Sequence, residues 1–254
     1  MMNIIPIPAL RDNYIWLLPL TRLGDRVAIV DPGDAAPVET ALDQLGLRAT
    51  AILVTHHHLD HTRGIAQLRH QYRLPVFGPA EASPSIDHPV TDGMTIHLED
   101  LSLQVMAVPG HTLEHVAYYA PGILLCGDTL FGAGCGRIFE GTPAQMHQSL
   151  QKIAALPPGT RVYCSHEYTA ANLAFAAAVE PDNEDIRART ERVMRQRAGG
   201  EPSLPSTIEE ELRTNPFLRC RESEVIAAAR RHAGTDITDE VDVFATLRRW
   251  KDVF

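Results

Sequence analysis

The chain has 254 residues, 44% of them hydrophobic, enough for one large folded domain or one large and one small. Its formal net charge of −9 argues against nucleic acid as a partner, because binding a phosphate backbone needs a basic face. The opening MMNIIPIPAL lacks a basic leader and does not read as a signal peptide, and no uninterrupted apolar run reaches the ~18 residues of a membrane span.

In chain order, DRVAIVDPG (Asp25–Gly33) reads as a strand ending in a turn, and Pro37–Leu45 as a helix. AILVTHH, from Ala51, is a second strand, followed by a helix over Thr62–Tyr72. LSLQVMAVPGH (Leu101–His111) alternates apolar and polar residues before breaking at Pro109-Gly110. GILLCGDT (Gly122–Thr129) and TRVYCSHE (Thr160–Glu167) follow the same plan, with a helix over Pro143–Ala155 between them. Strands interleaved with helices imply an α/β arrangement. After about Tyr168 the texture changes to Ala-rich and charged segments, broken by GGEPSLPS (Gly199–Ser206), which predicts a smaller helical domain with one exposed loop. Cys126, Cys135, Cys164 and Cys220 show neither CxxC spacing nor disulfide-rich density, which implies reduced thiols and a cytoplasmic protein.

The segment THHHLDHTRG packs four histidines and an aspartate into positions 56–61, directly after a strand. The interruption by Leu59-Asp60 and the internal position argue against an accidental tag-like run. In an extended segment His56 and His58 share a side while His57 faces away; the turn at Leu59 then lets Asp60 and His61 project together. Those two pairs suit two neighbouring cations, since imidazole favours zinc or iron and carboxylates favour hard or bridging positions. The other predicted strands also end in donors or acidic turns: Asp31, His111, Asp128 and His166. Asp31, in DPG, reads as a turn-forming or supporting carboxylate.

The H-x-H-x-D-H pattern (His56–His61), with PGHT (Pro109–Thr112), GDT (Gly127–Thr129) and SHEY (Ser165–Tyr168), resembles the metallo-β-lactamase superfamily. That resemblance implies an αββα sandwich. It also implies that His56, His58 and His111 bind one metal, that Asp60, His61 and His166 bind a second, and that Asp128 bridges them. RDNYIWLL (Arg11–Leu18), GDTLFGAGCGRIFEG (Gly127–Gly141), SHEYTAANLAFAAAVEPDN (Ser165–Asn183), NPFLR (Asn215–Arg219) and LRRWKD (Leu247–Asp252) resemble, more closely, the glyoxalase II family, the hydroxyacylglutathione hydrolases. This likeness runs almost from end to end. It implies a catalytic domain over 1–168 and a smaller helical substrate-binding domain over 169–254.

The family resemblance further implies hydrolysis of the thioester of S-D-lactoylglutathione to D-lactate and glutathione, a step of methylglyoxal detoxification. A water bridging two metals has its pKa lowered toward ~7, so the attacking species is a metal-bridging hydroxide, with Asp60 and Asp128 serving the reaction through the metals. The expected cofactors are two divalent ions per chain, zinc first, with iron or manganese permitted by the same donors. Arg137, Tyr168, Arg248 and Lys251 match the family's glutathione-contact positions. Arg248 and Lys251, at i and i+3, share a helical face, with Arg249 directed elsewhere. Arg137 replaces a lysine of some relatives, and Phe139 stands where some carry a tyrosine, which removes one hydroxyl contact. Cys135, between glycines but without a local base partner, reads as structural. The expected partner is a small glutathione thioester, with no nucleic acid and no membrane, and the chain is expected to be a monomer.

The sequence also admits three rival readings. A superfamily hydrolase acting on a lactone or a β-lactam is disfavoured by the C-terminal matches. A persulfide dioxygenase with one iron generally lacks the full helical extension. A structural metal protein is disfavoured because structural zinc sites are usually closed and often cysteine-rich.

Overall fold

The computed structural model describes residues 4–237 and 239–254. They form two compact units: one comprises the chain through Ala107 together with Glu114–Gly127, the other Val108–Leu113 together with Asp128–Phe254.

The first unit is built on two sheets. One has the strand order Ile5–Ala9, Asn13–Pro19, Arg26–Val30, Arg48–Leu53, Val76–Gly78, His88–Pro89, with the first three antiparallel and the later neighbours parallel. Helices Ala36–Leu45 and Ile65–Tyr72 cover one face: Val38 and Leu42 from the first, and Ile65 and Leu68 from the second, pack among Ile15, Leu17, Ile29 and Ile52. The other sheet is a meander of Thr95–Leu98, Leu101–Ala107, Val116–Ala120 and Ile123–Gly127. Tyr118 on this meander donates its hydroxyl hydrogen to the carbonyl of Val54 at 2.7 Å, tying the two sheets together beside the histidine cluster.

The predicted strands from Asp25, Ala51, Leu101 and Gly122 all form, and Leu101–Ala107 shows the expected alternation of buried and exposed residues over its first five positions. Asn13–Pro19 escapes periodicity because all seven of its residues are buried, leaving no polar face to mark it. The helix expected over Thr62–Tyr72 is divided into Leu59–Thr62 and Ile65–Tyr72. The break falls at Gly64, whose amide donates to the carbonyl of Pro32 at 2.8 Å and whose position leaves no room for a side chain, a Cβ there lying 2.7 Å from that oxygen. The short first segment carries Asp60 and His61.

The second unit is mostly helical: Pro143–Ala154, Thr169–Val179, Glu184–Ala198, Ile208–Thr214, Ser223–Ala233 and Glu240–Val253. Their starts follow ordinary capping chemistry. Thr142 and Gln145 form a reciprocal capping box, and Asn183 and Asp239 accept from the first turns of their helices. Strand Arg161–Cys164 pairs antiparallel with Ser206–Thr207, so the Gly/Pro/Ser-rich stretch ends in a two-residue strand. Glu167 also accepts from the backbone amide of Ser203 at 2.8 Å, holding that stretch beside His166 and Tyr168.

Gly33 of the DPG turn sits so close to the histidine segment that a Cβ would lie 1.8 Å from the carbonyl oxygen of Asp60. Gly33→Ala is therefore expected to cost about 1–3 kcal/mol of stability as the Asp60 backbone is pushed away. Urea unfolding checks this; a midpoint equal to that of the parent protein contradicts the tight approach.

Candidate metal centre

In the first unit the chain leaves its strand at Leu53, and His56, His58, Asp60 and His61 follow within one short coil and helical turn. The rings of His56 and His58 lie 4.7 Å apart, and those of His56 and His61 4.1 Å apart. His57 points elsewhere, its ring Nδ1 and its backbone amide both meeting the carboxylate of Glu114 at 2.6 and 2.9 Å. The side-sharing expected from the sequence is thus what the backbone produces. His115, fully buried, stacks on His56 at 4.6 Å and supports that ring from behind.

Asp31 organises the group. Its Oδ1 accepts from the backbone amide of Thr55 at 2.8 Å; its Oδ2 accepts from the Thr55 hydroxyl at 2.7 Å and faces His61 Nδ1 at 3.1 Å. A carboxylate can only accept, so His61 carries its proton on Nδ1. Thr55 spends its single hydroxyl hydrogen on Asp31, so at 3.0 Å it accepts from His56 Nδ1. In both rings Nε2 is then the lone-pair nitrogen, the tautomer that ligates a metal. The supporting role expected for Asp31 is the one its hydrogen bonds describe. Thr55 was not singled out from sequence; its position directly before His56 was the available signal.

The second unit repeats this logic. His111 Nδ1 lies 2.8 Å from the carbonyl oxygen of Arg137, again an acceptor only, so its Nε2 carries the lone pair. Asp128 Oδ2 faces His111 Nε2 at 3.5 Å and His166 Nε2 at 3.3 Å. In the first unit His61 Nε2 stands 3.5 Å from Asp60 Oδ2. Two donors on one tetrahedral cation, each about 2.1 Å from it, are separated by about 3.4 Å. These spacings, with fixed tautomers and an oxygen shared between two imidazoles, fit divalent metal ligation. Each unit therefore brings together the expected ligands that belong to it.

The expected substrate-binding residues also lie in the second unit. Tyr168 stacks flat on His166, with ring centres 4.7 Å apart. Arg248 is buried, donating to the carbonyl of Cys135 at 2.7 Å and to Asp252 at 3.2 Å. Arg137, mostly exposed, lies 3.5 Å from the same Asp252. Lys251 donates to the carbonyl of Ala171 at 3.3 Å and is held below the usual lysine pKa by partial burial and then by the charges of Arg248 and Arg137. Asp252, four residues after Arg248, was not anticipated as the counter-ion of this group, although i,i+4 spacing is a readable signal. Arg249 is exposed and turned toward Thr246. Cys135 is no nucleophile, because burial pushes its thiol up to about 11.

The family model of the metallo-beta-lactamase superfamily matches residues 15–166, and that of the hydroxyacylglutathione hydrolase C-terminus matches residues 167–254. A hydroxyacylglutathione hydrolase of Dechloromonas aromatica is 52% identical over 268 residues, with 100% of both chains covered, and one of Ectopseudomonas mendocina is 54% identical over 260 residues with the same coverage. The chain belongs to the hydroxyacylglutathione hydrolase family. Among solved structures, a protein crystallised in a di-iron-bound form covers 84% of this chain and 100% of its own, with a TM-score of 0.60 and 28% identity. This member of the hydroxyacylglutathione hydrolases thus has the α/β sandwich of the superfamily and carries the donors of a binuclear divalent-metal centre. Among the described residues, no helix is long and apolar enough to cross a membrane.

Asp31→Asn leaves one acceptor oxygen for three converging donors. Metal affinity in a chelator competition is expected to fall about 10–100-fold. Equal affinity in mutant and parent contradicts the assigned role of Asp31.

Proposed function

We propose that this enzyme hydrolyses the thioester of S-D-lactoylglutathione, adding water across the acyl–sulfur bond to give D-lactate and glutathione. The observation that carries the reading is a single compact unit holding His111, Asp128 and His166 together with a cationic group of Arg137, Arg248 and Lys251 and the stacked Tyr168. An anionic tripeptide needs local cations in a chain of net charge −9, and this group supplies them.

In this reading His56, His58 and His111 would hold one divalent cation, Asp60, His61 and His166 would hold the other, and Asp128 would serve both. Zinc suits the donors best, and iron or manganese is permitted. When bound, two such cations lower the pKa of a shared water toward ~7 and stabilise negative charge on the thioester oxygen. The residues of the chain do the rest. Asp31, Thr55 and the Arg137 carbonyl keep the imidazoles in the ligating tautomer. Arg137, Tyr168, Arg248 and Lys251 receive the glutathione moiety, and Arg248 also fixes the loop at Cys135 and orients Asp252. The departing thiolate has a conjugate-acid pKa of roughly 8.5, so no dedicated general acid is needed. Thiol attack by the enzyme itself is disfavoured, since burial raises Cys135 to about 11 and Cys164 to about 12.

The proposal extends to organisation and setting: a catalytic domain over 1–168, a helical substrate-binding domain over 169–254, and a cytoplasmic monomer without nucleic-acid or membrane partners. Four buried cysteine thiols accord with a reducing compartment.

A metal-replete preparation is expected to turn over S-D-lactoylglutathione in preference to lactones and β-lactams; negligible thioester turnover rejects the proposal. Asp128→Ala is expected to lose at least about 100-fold in kcat while the fold survives, and an unchanged kcat and metal content contradict its bridging role. Lys251→Ala is expected chiefly to raise KM, having removed ground-state binding. Because the Lys251 pKa is lowered, its positive charge is present at neutral pH and is lost as pH rises, starting below the ordinary lysine range. KM should therefore climb earlier at alkaline pH than an ordinary lysine allows, and Lys251→Arg should abolish that climb. A climb that persists in Lys251→Arg assigns it to another group.

A further inference from the structure

Among the expected ligands in the first unit, His61 and Asp60 are held very differently. The His61 side chain is 1% exposed and is pinned by Asp31, whereas the Asp60 side chain is 39% exposed. The Asp60 backbone lies against Gly33, where a Cβ would fall 1.8 Å from the Asp60 carbonyl oxygen. The carboxylate takes one hydrogen bond from 47 residues away: the side-chain amide of Asn13 donates from Nδ2 to Asp60 Oδ2 at 3.0 Å. Since a carboxylate only accepts, it is the amide nitrogen and not its oxygen that faces Asp60.

Asn13 is itself well placed to be rigid. It is buried, and it opens the strand Asn13–Pro19, every residue of which is buried. That strand runs antiparallel to Arg26–Val30, with Trp16 opposite Val30, so its beginning lies at the edge where Asp31 follows Val30. An amide set on a sheet loses little freedom when it makes one further hydrogen bond. The oxygen it contacts, Oδ2, is the one that stands 3.5 Å from His61 Nε2.

We propose that Asn13 is a positioning residue for the metal held by Asp60 and His61: its amide locks Asp60 Oδ2 beside His61 Nε2. A partly exposed carboxylate on a short helical segment thereby gains a fixed hydrogen bond to the oxygen that faces His61. This rests on the metal assignment above. Hydrogen-bonded partners of a ligating carboxylate typically contribute 10–100-fold to metal affinity. The effect of losing Asn13 is expected chiefly at the cation assigned to Asp60 and His61, because His56 is fixed through Thr55 and His111 through Arg137.

The test is a zinc titration of metal-free parent, Asn13→Ala and Asn13→Leu against a chromophoric chelator, with bound metal counted and thermal unfolding of each metal-free protein followed by circular dichroism. Asn13→Leu keeps the branched outline and the same number of side-chain heavy atoms while removing the donor, and Asn13→Ala removes it without adding bulk, so the pair separates packing from hydrogen bonding. The expected result is one zinc retained at parent affinity and the other weakened about 10–100-fold in both variants, with unfolding of the metal-free proteins little changed. Two zinc ions bound at parent affinity in Asn13→Leu overturn the proposal. So does an equal weakening of both ions that tracks a loss of stability in the metal-free protein, which marks Asn13 as merely structural. A parent protein that fails to bind two ions refutes the metal assignment itself and is thus distinguishable from failure of the Asn13 role.

Discussion

The site depends on a short relay of hydrogen bonds in which one buried carboxylate decides the protonation pattern of two imidazoles. Asp31 takes the hydroxyl hydrogen of Thr55, which obliges Thr55 to accept from His56, and Asp31 itself accepts from His61. Neither ring can turn or change tautomer without leaving a buried donor unsatisfied, at a cost of about 1–3 kcal/mol. The relay lies at the ends of two neighbouring parallel strands, Arg26–Val30 and Arg48–Leu53, where side chains from adjacent strands converge on one edge. The strained backbone of Asp31, with φ of 52°, is consistent with a turn held for the sake of that carboxylate.

The helical region contributes more than cations. Within the second unit, Glu211 is fully buried, accepts from the amide of Ala133 at 2.8 Å, and pairs with Arg189 at 2.6 Å. Asn215 donates to the carbonyls of Phe131 and Gly134 at 3.3 and 2.9 Å and to Glu211 at 3.0 Å. These bonds clasp the hairpin Leu130–Cys135, which begins two residues after Asp128. A buried ion pair is seldom a net source of stability, but breaking one costs about 3–5 kcal/mol, so such a network serves mainly to hold one loop conformation. Residues far along the chain thereby fix the turn that presents Asp128.

Much of this was legible in the sequence because the chemistry sits at strand ends. The His56–His61 pattern, His111, Asp128 and His166 each follow a segment whose β-branched or alternating character is visible, and each of those segments forms a strand. Other features left no trace. Asn13–Pro19 is buried on both faces and so lacks alternation. The Asn13 amide meets its partner only after the chain has folded across 47 positions. LRRWK looks like the solvated side of a terminal helix, yet Arg248 is buried and bonded to the Cys135 carbonyl. Helical spacing reveals which residues share a face but not which face the rest of the molecule covers. The division of the helix at Gly64 depends on a backbone approach to Pro32 that no local pattern announces.

The central claim is that the imidazoles are locked with Nδ1 protonated and Nε2 directed to metal. Nitrogen-15 correlation spectroscopy of the histidine rings in protein loaded with cadmium-113 tests it most directly, since scalar coupling identifies the nitrogen bonded to each ion. The account predicts two cadmium resonances, with His56, His61 and His111 each coupled through Nε2 and each keeping a proton on Nδ1. A single resonance, or coupling through Nδ1 in any of these three rings, contradicts it.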